Sequence, residues 1–297
     1  MKLNIKHIIT SLKNGGLADP HRQGENPGGE AGRHARRAVW KRFSFSQTIF
    51  IATIIFLFMP LMVLILYSFN GSKGMKWGGF SLVWYEQLFF NSQYLWRAFW
   101  NSILIALSSA GAATVIGTFG AVGVNWYRFR LRNYIQIISF LPMIVPEIII
   151  GVSLTQFFHG VQMRLGLVTI FIAHTTFNLP FVFLMVMARL DEFDFSIIEA
   201  AHDLGANEME TLFRVTLPLC MPGIISGFLT AVTISLEDFV ITYFVSGAGS
   251  TTLPVYIYSA IRFGVSPVIN ALSVVMILGT VFLTCLLRNF LKYIAAK

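Results

Sequence analysis

The stretch 99-FWNSILIALSSAGAATVIGTFGAVGV-124 runs for 26 positions without a charged residue. A bilayer's hydrocarbon core is about 30 Å thick, and a helix rising ~1.5 Å per residue needs roughly 20 mostly apolar residues to cross it. The stretch is long enough to do so. It is too long, and too free of strict apolar–polar alternation, for a barrel strand of about 10 residues. It therefore reads as a transmembrane helix.

Five more runs of the same kind follow from the sequence, at about 48–68, 134–158, 166–187, 223–245 and 268–289. The whole chain agrees with them. It is 55% hydrophobic with 28 Phe, and its 12% charged residues are half the usual ~25% of a soluble domain. The expected fold class is an all-α membrane protein with six transmembrane helices. Residues 1–44 differ, with nine Lys/Arg before position 43 and a polar Gly/Pro-rich stretch. No apolar core follows the early lysines as a cleavable signal requires. The composition points to a disordered basic tail over 1–44 ahead of a six-helix transmembrane domain over 45–297. The alternative is a surface-lying helix built on Ile5, Ile8, Ile9 and Leu12.

Charge sets the orientation. With the N-terminus inside, seventeen Lys/Arg fall on inside segments and five on outside ones (Lys73, Lys76, Arg97, Arg164, Arg262). Basic residues favour the cytoplasmic side, so both termini are expected there. The net +8 then reflects orientation and contact with membrane lipid, with no nucleic-acid partner. Nothing suggests that Cys220 and Cys285 form a disulfide. The chain has no phosphate-binding GxxxxGK[ST] loop, no HExxH, no paired CxxC and no GxSxG. No catalytic residue, metal site or cofactor of its own is expected. His159 and His174 read as packing or hydrogen-bonding residues.

Half of the acidic residues, seven of fourteen, crowd into 191-DEFDFSIIEAAHDLGANEME-210, which the orientation places in the cytoplasm between spans 4 and 5. Ser196 and Glu199 fit a capping box. Ile197, Ala200, Ala201 and Leu204 then repeat at helical spacing as an apolar stripe, with Glu199, His202 and Asp203 opposite. Gly205 ends that helix. Asn207 and Glu210 start a second one, with an apolar face of Met209, Leu212 and Phe213 and a Glu210–Arg214 pair. Leu217-Pro218 and Pro222 are expected to stop it before span 5.

The order Glu199-Ala200-Ala201, Gly205, Val215, Leu217-Pro218 resembles the signature of the membrane subunits of binding-protein-dependent ABC importers, with Val where Ile is commonest. The six spans and the position of the segment before span 5 agree. The resemblance implies the type I importer (MetI-like) permease fold. It also implies that the loop about 189–222 is a coupling loop for a cytoplasmic ATPase. Glu199, Ala200, Ala201, Asp203, Gly205, Leu217 and Pro218 would be its coupling residues. It further implies a second, similar permease chain, two ATPase subunits that carry ATP and Mg, and an extracytoplasmic substrate-binding protein. The stretches 142-PMIVPEIIIGVSL-154, 235-SLEDFVITYFVSG-247 and 252-TLPVYIYSAIRFGVSPVINALS-273 are similar to spermidine/putrescine importer permeases. Coverage runs from about residue 45 to the C-terminus. Glu237 stands where Asp is usual, and Val268 where Glu is common.

Three acids lie inside apolar spans: Glu147, Glu237 and Asp238. An ionised group deep in lipid costs several kcal/mol, so such residues usually face a bundle interior or a water-filled path. Pro142 and Pro146 should break span 3 beside Glu147. A cationic polyamine suits carboxylates, and Phe239, Tyr243, Phe244, Tyr256 and Tyr258 could add cation–π contacts. Asp238, Glu237, Glu147 and Tyr243 are the expected substrate-path residues; pairing within the bundle is the alternative. Another cargo such as ferric ion, an ion-coupled secondary transporter and a non-transporting scaffold are rival readings.

Overall fold

The computed structural model describes residues 31–295 except Met75, Arg128, Phe193, Phe195 and 263–265. Residues 1–30 of the expected tail lie outside the described residues, while 31–44 belong to helix α1 (Ala31–Ser68). The chain divides into two units after Val63. The first, as described, is the greater part of α1, whose stretch Phe45–Ser68 contains an 18-residue window with a mean hydropathy of 3.0. A helix apolar on all sides belongs in lipid or in a bundle.

The second unit is built on α3 (Gln93–Trp126), α7 (Leu167–Asp191) and α10 (Leu217–Glu237). Lipid is as apolar as Leu, so membrane helices associate through close packing over small residues. Here α3 buries Ala106, Ala110, Ala113, Gly117 and Ala121. Val182 of α7 lies between two glycines: a Cβ on Gly117 would stand 3.1 Å from the Val182 Cβ, and one on Gly227 3.2 Å from its Cα.

Span 3 is broken as its prolines predict. Helices α4 (Arg132–Ser139), α5 (Leu141–Ile144) and α6 (Glu147–Gly160) are interrupted at Val145 and Pro146, which are extended at ψ 131° and 133°. The two halves bend by 105°.

Span 5 departs from expectation at both ends. It starts earlier, because α9 (Glu208–Thr211), a π-helical segment Leu212–Thr216 and α10 run on as one helical stretch. Pro218 and Pro222 do not stop it. The Leu217 amide reaches back five residues to the Leu212 carbonyl, and that widened turn changes the backbone register just ahead of Pro218, which brings no N–H to the ladder. At the other end the run 223–245 is not one helix. α10 ends at Glu237, Asp238 is extended (φ −64°, ψ 120°), and α11 (Val240–Val245) begins after Phe239.

Among the described residues four helices are long and apolar enough to cross a membrane, and the bent span 3 makes a fifth. The sixth expected span is α13 (Pro267–Ala295), of 29 residues. Two short helices, α2 (Val83–Asn91) and α12 (Leu253–Arg262), complete the unit after the α8 helix (Ser196–Asp203) is counted. Val268 is buried with Trp84, Leu88, Leu253 and Leu272. The Glu-to-Val departure therefore falls in an apolar cluster.

Candidate functional site

At one end of the bundle, α8 and α9 form the helix–turn–helix expected from the acidic segment. The start of α8 differs from the expectation. Ser196 is its first helical residue, and its amide donates to the Asp194 carboxylate at 3.0 Å. Asp194 therefore takes the capping role expected of Ser196. The Ser196 amide and hydroxyl beside it hold that carboxyl below the ordinary aspartate range. A group with a lowered folded pKa contributes stability above its unfolded value, so this start is secure at neutral pH and weakens as pH falls below about 4.

Gly205 closes α8 at φ +88°. The Ala206 amide reaches the Ala201 carbonyl and the Gly205 amide the His202 carbonyl, at 3.0 and 2.9 Å, which is the Schellman arrangement. A Cβ on Gly205 would meet nothing within 4 Å. Glycine is needed here for its backbone angle and not for room within this chain.

The capping box of α9 is complete. The Glu210 amide donates to Asn207 Oδ1 at 2.8 Å, and the Asn207 amide to Glu210 Oε2 at 3.2 Å. Because Glu210 is held there, the expected Glu210–Arg214 pair is not formed among the described residues. The expected apolar face is also corrected. Leu212 packs on the core, but Met209 and Phe213 are exposed, and Thr211 and Thr216 are the buried residues. The π-helical turn rotates the chain away from 3.6-residue spacing.

The seven expected coupling residues lie together at this end. Glu199, Ala200, Asp203, Gly205 and Pro218 are exposed, and Ala201 and Leu217 half-buried. The stripe above them is uncovered, with Ile197 42% and Leu204 89% exposed. Tyr127, which ends α3, donates to Glu208 Oε2 at 3.0 Å and ties the loop to the bundle.

The intramembrane acids separate into two kinds. Asp238 is buried, with its carboxylate taken up by its own chain. Oδ1 accepts from the Ile241 amide at 3.3 Å, and Oδ2 from the Thr242 amide and hydroxyl at 2.8 Å each. His174 of α7, only 3% exposed, places Nε2 3.1 Å from Oδ2 and 2.8 Å from the Thr242 hydroxyl. Its Nδ1 meets the Ser235 hydroxyl at 2.6 Å, and Ser235 meets Ser109 of α3 at 3.3 Å. Since Thr242 donates its hydroxyl proton to Asp238, its oxygen is an acceptor toward His174. The imidazole therefore carries its proton on Nε2.

Glu147, Glu237 and Tyr243 are exposed. Glu147 is the first residue of α6, where the helix dipole favours an anion, and it lies within electrostatic reach of Asp238 and Glu237. The two helix breaks are adjacent because α6 packs on α11. A Cβ on Gly151 would stand 2.8 Å from the Phe244 ring, and the Thr155 hydroxyl donates to the Phe244 carbonyl at 2.9 Å. Beside them an aromatic group forms, with Phe239 and Tyr258 4.4 Å apart, Phe239 and Tyr243 5.5 Å, and Tyr243 and Tyr258 6.3 Å. Of the four expected path residues, Glu147, Glu237 and Tyr243 are exposed and Asp238 is buried.

His174 is a hydrogen-bonding residue, as its sequence reading expected, but the tie to Asp238 was not foreseen. Its partners Ser235, Asp238 and Thr242 follow at i, i+3 and i+7, which is one face of a helix. That polar stripe inside an apolar run was the available signal. Among the described residues no group of three or more His, Cys, Asp or Glu is placed to hold a metal ion.

A helical bundle with a broken third span and an exposed helix–turn–helix before its fifth defines a transporter permease fold. Solved structures agree. A chain of a bacterial ABC transporter that imports alginate matches with a TM-score of 0.66 at 15% identity, covering 84% of this chain and 96% of that one. A chain of the MetNI methionine ABC transporter matches at 0.56 and 22% identity, covering 64% and 90%. The chain belongs to the family of binding-protein-dependent transport system inner membrane components, whose model matches residues 113–297. It is 39% identical to the spermidine/putrescine transport system permease protein PotC of Haemophilus influenzae, over 82% of this chain and 95% of that one. It is 41% identical to the putrescine transport system permease protein PotI of Escherichia coli, over 82% and 88%.

Proposed function

We propose that this multi-pass membrane protein is the permease subunit of an ATP-driven importer for polyamines. It supplies half of the translocation path, and a second, similar permease chain supplies the rest. Two ATPase subunits bind from the cytoplasm, one of them on the exposed α8 knob, and an extracytoplasmic binding protein delivers cargo from the other side. Both termini are cytoplasmic. ATP hydrolysis belongs to the partners, and this chain contributes no catalytic residue or cofactor.

The observation that carries the cargo is the exposed face holding Glu147, Glu237, Tyr243 and Tyr258. A polyamine is a flexible chain of ammonium groups separated by methylenes. Two carboxylates supply charge and acceptors for the ammonium ends. Tyrosine faces supply cation–π contacts of about 0.5–2 kcal/mol each and cover the methylenes. ATPase closure reaches this face along one continuous helical stretch, because α9, the π-helical turn and α10 run on from beside the α8 knob to Glu237. The names of PotC and PotI support the same cargo.

Glu237→Gln tests the reading. Labelled polyamine uptake should fall about tenfold, the effect of ~1.4 kcal/mol lost from one charge-assisted contact, with the amount of protein in the membrane unchanged. Unchanged uptake would remove Glu237 from the path.

A further inference from the structure

We infer that His174 is a positioning residue for the path: it pins the break in span 5 from behind, and so fixes where Glu237 and Tyr243 face. The inference rests on the proposed path face.

A helix broken inside a membrane frees backbone groups that lipid cannot satisfy, each costing several kcal/mol unless partnered. Asp238 answers that need for α11 by accepting the Ile241 and Thr242 amides. A buried carboxylate is itself costly without a compensating partner. His174 supplies one, with Nε2 shared between Asp238 and Thr242. Through Nδ1 it also holds Ser235, in the last turn of α10. One imidazole on α7 therefore ties together the end of α10, the break residue and the first turn of α11. Ser109 of α3 secures Ser235 from the third helix.

The geometry has a consequence for the path. Glu237 immediately precedes Asp238, and Tyr243 immediately follows Thr242. Both path residues are thus flanked by residues that His174 holds. The imidazole itself is buried, only 3% exposed, and its hydrogen-bond partners are Ser235, Asp238 and Thr242. Its effect on cargo passes through the backbone angle at the break.

Two conservative replacements separate this role from simple packing. Gln at position 174 can place an amide N–H near the Nε2 position and keep the Asp238 side of the network. Asn reaches only the Nδ1 side and keeps Ser235 alone. The reporter is Tyr243→Cys in a Cys285→Ser background, labelled with a water-soluble maleimide in the complete, reconstituted transporter. His174→Asn should change the labelling rate by about fivefold or more, the equilibrium equivalent of one lost hydrogen bond. His174→Gln should leave it within about twofold, and polyamine uptake should follow the same order. Equal labelling in all three backgrounds would overturn the inference, as would equal loss in Gln and Asn. Labelling does not depend on cargo. If Glu237→Gln left uptake intact while labelling still followed position 174, the path reading would fail and the positioning role would stand.

Discussion

Asp238 and Glu237 are neighbours in sequence with opposite situations. Asp238 is buried and accepts from two amides, a hydroxyl and an imidazole, whereas Glu237 is exposed. Removing the first should act on stability. Asp238→Ala leaves the Ile241 and Thr242 amides and the Thr242 hydroxyl without their acceptor, and each buried unsatisfied group costs about 1–3 kcal/mol. Less protein should reach the membrane, and what does should unfold at lower temperature in detergent; an unchanged melting temperature would contradict this. Gly205 makes the complementary point at the exposed loop. At φ +88° a branched side chain is strained by roughly 1–2 kcal/mol. Gly205→Val should distort the knob and abolish uptake while the chain still inserts. The need for Gly205 was legible in the sequence, since a glycine after an amphipathic turn signals a left-handed cap. The burial of Asp238 was not, because nothing near 237-ED-238 names His174, which is 64 residues away from Asp238 in the chain.

The two broken spans differ in how their breaks arise. In span 3 the cause is local: Pro146 constrains the preceding residue to extended angles, and the 105° bend follows. That break could be read from the sequence. In span 5 the stretch 235-SLEDFVITYFV-245 holds no proline or glycine, and its hydropathy reads as a continuous helix. The break comes from tertiary contacts, with α7 and α3 supplying the polar partners. The same limit explains the π-helical turn Leu212–Thr216, in which Phe213 is exposed and Thr216 buried where 3.6-residue spacing put Phe213 on the apolar face. The packing of α6 on α11 then brings the two breaks together, and Gly151 permits it. Gly151→Leu should separate these helices and abolish uptake. Phe244→Ala should restore part of the activity by making room for the added side chain. Wild-type uptake by Gly151→Leu alone would show that the contact is dispensable.

For the molecule as a whole, composition, the apolar runs and the Glu199–Pro218 spacing made the class, the span order and the exposed knob legible. The membrane fixes helices strongly, because every backbone polar group in lipid must be satisfied within the chain. Which side chains face a path was less legible, since that depends on the angle between helix fragments and on a partner chain. The proposed arrangement joins the knob to the acidic face by one helical stretch, so energy from ATPase closure should be spent on cargo at Glu147, Glu237 and Tyr243. The decisive measurement is labelled putrescine and spermidine uptake into proteoliposomes holding this chain with its permease, ATPase and binding-protein partners. Accumulation should require enclosed ATP and the binding protein, persist with an uncoupler present, and be lost with Glu199→Arg at unchanged assembly. Uptake that continues without ATP, or that collapses with the uncoupler, would contradict an ATP-driven import role.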